Sequence, residues 1–114
     1  MPDPKMKTKP KTTPKPSSAE RKRNAYISMP MRGKEDVRAE FVLLRDELEK
    51  RHPDLTVIND PTEARDVTPL EMLGRSITVL GRCDVAWFAP GWEKARGCKI
   101  EHDCCEAYGV DIIN

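Results

Sequence analysis

Residues 84–106 read DVAWFAPGWEKARGCKIEHDCCE, and the way this stretch divides decides the fold. Asp84 to Phe88 is a short apolar run suited to a buried strand. Pro90-Gly91 breaks it, and helical spacing resumes from Cys98 to Tyr108. A strand, a loop and a helix in this order are the unit from which parallel sheets are built. Loops leaving the carboxyl ends of parallel strands line a crevice topped by helix N-termini, where ligands collect. Glu101 is expected in about the first turn of that helix, where the dipole and free amides would hold its side chain as the anion.

Working outward, the same unit recurs. Asn24 to Ser28 (NAYIS) is β-prone and runs into MPMRGK, where Pro30 and Gly33 forbid a regular continuation. From Glu35 to Arg51, Val37, Phe41, Leu44 and Leu48 recur at spacings of four, three and four, predicting an amphipathic helix that ends before Pro53. Leu55 to Ile58 is a second short strand, at or near a sheet edge, closed by the turn-forming Asn59-Asp60-Pro61. Thr68-Pro69-Leu70-Glu71 supplies an N-cap residue, a proline in the first turn and an acid. Leu70, Leu73, Ile77 and Leu80 then continue at helical spacing towards Arg82. Gly109 suits the end of the last helix, and Val110 to Ile113 is a final strand.

The chain therefore reads β-α-β-α-β-α-β, an α/β fold with a small flavodoxin-like or Rossmann-like parallel sheet of about four strands flanked by three helices. Right-handed crossovers give the order 2-1-3-4, which brings the loops Met29 to Lys34 and Ala89 to Gly97 together at the switch point. With 114 residues there is room for one domain, residues 23–114, behind an N-terminal tail, residues 1–22. The tail holds five of the ten prolines, interleaved with lysine and threonine in PKMKTKPKTTPKPSS, and is expected to be disordered.

Charge separates the same two parts. Residues 1–23 hold six Lys and two Arg against Asp3 and Glu20, a net of +6, whereas the remaining residues carry 12 basic and 17 acidic side chains, a net of −5. An acidic domain argues against a nucleic-acid-binding surface on the fold itself, so any weak, salt-sensitive contact with nucleic acid belongs to the tail. Cys83, Cys98, Cys104 and Cys105 form no CxxC pair, and no secretory or membrane-spanning apolar run accompanies them. A reduced, cytoplasmic protein is expected, with no membrane association. Cys98, His102 and Cys104-Cys105 crowd one helix without a second ligand cluster, so packed thiols are expected in place of a zinc site.

Three segments carry a resemblance: YISMPMRGKED at Tyr26 to Asp36, CDVAWFAPGWEKARGCKIEH at Cys83 to His102, and the closing AYGVDII. Together they resemble the nucleoside 2-deoxyribosyltransferase superfamily, in particular its small bacterial and phage members, and more distantly the deoxynucleoside 5′-monophosphate N-glycosidases. The resemblance implies an enzyme acting on an N-glycosidic bond to 2-deoxyribose without cofactor or metal, with a nucleoside or nucleotide as its small-molecule partner, assembled as a homo-oligomer. It places the catalytic Glu at Glu101. It places Tyr26 and the loop Ser28, Met29, Pro30, Met31, Arg32 and Gly33 against the sugar and any 5′-phosphate. Gly91, Trp92 and Gly97 fall in the second loop. Two positions depart from the pattern: Ser76 stands where related enzymes commonly have an Asp, and Ala95 where they have an acidic or hydroxyl residue. A binding module that keeps the pocket without the chemistry is the alternative reading.

Overall fold

The computed structural model describes residues 22–31, 33, 36–61 and 66–114. The expected tail up to residue 21, Arg32, Lys34, Glu35 and most of the loop between Thr62 and Thr68 lie outside the described residues. Four parallel strands form one sheet in the order 2-1-3-4, with β1 at Arg23–Ser28, β2 at Leu55–Val57, β3 at Val85–Phe88 and β4 at Asp111–Ile112. Three helices connect them: α1 at Val37–Arg51, α2 at Pro69–Leu80 and α3 at Arg96–Tyr108.

Each helix is delimited by its sequence. Asp36 caps α1 by accepting from the Ala39 amide at 2.9 Å. Thr68 and Glu71 form the reciprocal capping box that their spacing promised, with Pro69 in the first turn of α2. Gly109 ends α3 in the left-handed conformation (φ 79°) that other side chains rarely adopt.

Period-two alternation on the strands divides the core between two faces. Ala25, Ile27, Leu55 and Val85 pack against Phe41 and Leu48 of α1. Tyr26, Ala86 and Phe88 point the other way, towards Leu80 of α2 and Cys105 of α3. Phe88, Ile27, Leu55 and Val85 are among the largest wholly buried side chains, each contributing about 1.5–3 kcal/mol by leaving water.

The short outer strands are completed by side chains. β2 is the edge that the sequence indicates, and its outward Val57 amide donates to Glu49 Oε2 of α1 at 2.8 Å. Asn59, expected only to help close a turn, is buried instead, and its carboxamide bonds both the amide and the carbonyl of Ile27 at 2.9 Å each. Asn114 does the same for Phe88 across the sheet, at 3.0 and 2.7 Å. Asp84 accepts from the Asn24 amide at 2.9 Å at the opposite end of the strands.

Candidate functional site

The site forms where β1 faces α3. Tyr26 and Ser28 lie on the same side of β1, two residues apart, beneath the α2 and α3 layer. On α3 the spacing of three and four places Cys98, Glu101 and Cys105 on the buried stripe, aiming the Glu101 carboxylate at the sheet. Tyr26 Oη donates to Glu101 Oε2 at 2.9 Å and Ser28 Oγ donates to Oε1 at 2.6 Å. Tyr26, Ser28 and Glu101 are only 4%, 1% and 7% exposed, and among the described residues every buried side-chain polar atom has a partner.

This geometry corrects the expected electrostatics of Glu101. The helix begins at Arg96, two residues before Cys98, so Glu101 is its sixth residue and bonds side chains instead of free helix amides. Burial pushes its carboxyl above the usual range, opposed by the hydrogen bonds from Ser28 and Tyr26. The Tyr26 phenol is pushed far up by burial and by the Glu101 charge, while a hydrogen bond from Ser76 favours its anion. Tyr26 is therefore a protonated donor at any physiological pH. Burial likewise raises the Cys98 thiol, against a hydrogen bond from Ser28.

The two expected loops do meet. Gly91 takes a φ of 91°, and a Cβ built there would stand 3.7 Å from Pro30 Cγ. Gly33 has a φ of 80° in the first loop, and the Ala89 amide donates to the Ser28 carbonyl at 2.9 Å. Met29 and Met31, expected near the sugar, pack into the α1-side core, away from Glu101. Gly97 is the second residue of α3 with open space where its Cβ would be, and Ala95 caps that helix through its backbone alone. Trp92 stacks on His102 with ring centroids 4.1 Å apart and planes 6° apart, and both contact the Phe88 ring. Ser76 stands beside the Tyr26 hydroxyl, so a position where the resemblance breaks down still reaches the site.

The His102 stack escaped the sequence reading because ten residues separate it from Trp92 and no local pattern links them. Cys98 was read only as a packed thiol, although its spacing of three from Glu101 was a usable signal. Cys83 and Cys105 are buried in the α2 and α3 side of the core, with Cys104 packed against it. Among the described residues the ligand atoms that come together are those of His102, Asp103 and Glu106, within 4.8 Å on an exposed turn of α3. A groove of about 220 Å³ lies between α1 and the end of β2. Its Arg38 and Arg45 stand 3.7 and 3.1 Å from Asp60 and Asp46, and neither Glu101 nor its partners line it.

A buried carboxylate with one hydroxyl donor on each oxygen keeps a lone pair on each oxygen for other work. It can attack an electron-poor carbon, accept a proton, or balance a cation forming beside it. No helix among the described residues is long and apolar enough to cross a membrane. A family described as "Domain of unknown function (DUF4406)" matches residues 23–114 of the chain. No curated protein matches it.

Proposed function

The chain belongs to the DUF4406 family, and from that footing we propose that it is a nucleoside or nucleotide N-glycosyl enzyme of the nucleoside 2-deoxyribosyltransferase type, transferase or N-glycosidase. The observation that carries this reading is the Glu101 carboxylate, oriented by Tyr26 and Ser28 and not engaged in capping its helix.

In this scheme a Glu101 oxygen attacks C1′ of the 2-deoxyribose as the C1′–N bond breaks, and its electron pair leaves with the base, which gains a proton. Water or an acceptor base then attacks C1′ and frees the carboxylate. Desolvation makes the anion reactive, while the hydrogen bonds from Tyr26 and Ser28 favour it over the neutral acid. Tyr26 works as a fixed donor and not as a base. Such an enzyme draws on the cytoplasmic nucleotide pool, and its small core favours a homo-oligomer.

A second reading, a nucleotide-binding module without chemistry, is favoured by Ala95, whose side chain offers no proton donor. Incubation with a panel of 2-deoxynucleosides and their 5′-monophosphates, followed by chromatography for free base, separates the two. Base release that depends on Glu101 supports the enzyme. Saturable binding without release supports the module.

A further inference from the structure

Residue 27 is where β1 outruns its neighbour. The odd residues of β1 face β2: the Ile58 amide donates to the Ala25 carbonyl at 3.0 Å, and one step further the Asn59 carboxamide takes over the whole pairing of Ile27. The even residues face β3, with the Asp84 amide bonded to the Asn24 carbonyl and the Ala89 amide to the Ser28 carbonyl, both at 2.9 Å. Asn59 is thus a side-chain rung at the last point where the outer edge of β1 needs one. The next residue is Ser28, whose Oγ makes the 2.6 Å bond to Glu101.

We infer that Asn59 is a positioning residue for the Glu101 site, holding the end of β1 so that the Ser28 hydroxyl meets the carboxylate. One rigid peptide plane joins Ile27 to Ser28, so an error at Ile27 is transmitted to the hydroxyl. A buried strand end without its ladder partner also leaves an amide and a carbonyl unpaired, and it frays.

The test follows the Glu101 carboxyl carbon by NMR through a pH titration in the full chain. Asn59→Ala removes the rung, and Asn59→Ser, which keeps a hydroxyl, serves where the alanine variant fails to fold. Both are expected to move the titration upward, as Ser28→Ala does, because the Ser28 bond favours the anion. In the Ser28→Ala background the Asn59 substitution should add nothing. The inference rests on reading Glu101 as the reactive carboxylate, and under that reading kcat should fall about 10- to 100-fold with KM changed less than about twofold. Titration needs no turnover, so a protein that releases no base loses the enzyme reading without losing this test. An Asn59 variant that only melts earlier overturns the inference. So does an effect that adds to Ser28→Ala.

Discussion

Glu101→Gln should separate chemistry from structure at this site. The glutamine amide is the same size, and the Tyr26 and Ser28 hydroxyls can turn so that one donates to its oxygen and the other accepts from its nitrogen. The fold should therefore hold within about 1 kcal/mol. Its pH dependence should change in a definite direction. The wild-type carboxyl is raised in the folded state, so folding takes up protons relative to the unfolded chain. The group's stabilisation is complete below the unfolded carboxyl range and is lost as pH rises through the folded value. The glutamine variant lacks this loss, and its melting temperature relative to wild type should climb across that window. Glu101→Ala should behave worse, because it leaves two buried hydroxyls without their acceptor at about 1–3 kcal/mol each. Base release by Glu101→Gln, measured by chromatography, should fall on the order of a thousandfold or more if the carboxylate is the nucleophile. A glutamine variant that keeps turnover within about tenfold of wild type would place the chemistry elsewhere.

Tyr26→Phe removes a donor that favours the anion, so the acid limb of a pH–rate profile should move to higher pH; an unmoved limb would mean that Tyr26 does not act on the carboxylate. Burial pushes Cys83 up to about 12 and Cys105 up to about 11, so both should resist iodoacetamide near pH 8 until the protein is denatured, as peptide mass mapping would report. Labelling of either in the native protein would contradict that packing. The small core should be supplemented by association, and light scattering at micromolar concentration should give at least a dimer; a monomer mass would remove the oligomer from the proposal.

The fold was legible because its signals are local. Val37 to Leu48 repeat at helical spacing, Thr68 to Glu71 spell a cap, and Gly109 marks a stop, so element order and hence strand order followed from crossover handedness. The start of α3 was not legible. Ala95 caps it by backbone geometry alone, directly after a 3-10 turn at Trp92–Lys94, and no side chain announces the boundary. That error of two residues moved Glu101 out of the first turn, and burial, which no local pattern announces, raises its carboxyl where an anion-stabilising helix end was expected. Tyr26 and Ser28 were identifiable only through the resemblance carried by YISMPMRGKED, and Glu101 also by its place early in the helix after the third strand. Asn59 and Asn114 were not, since their task depends on where the neighbouring strands stop.

The carboxylate of Glu49 on the Val57 amide reaches beyond the single bond it makes. The other outward amide of β2, that of Leu55, is already taken by the His52 carbonyl at 2.9 Å. A strand arriving from a neighbouring molecule would find no free donor along this border and would have to expel a charged side chain to zip onto it. Copies of this protein are thereby steered away from joining into one continuous sheet through β2, a route that leads to fibres.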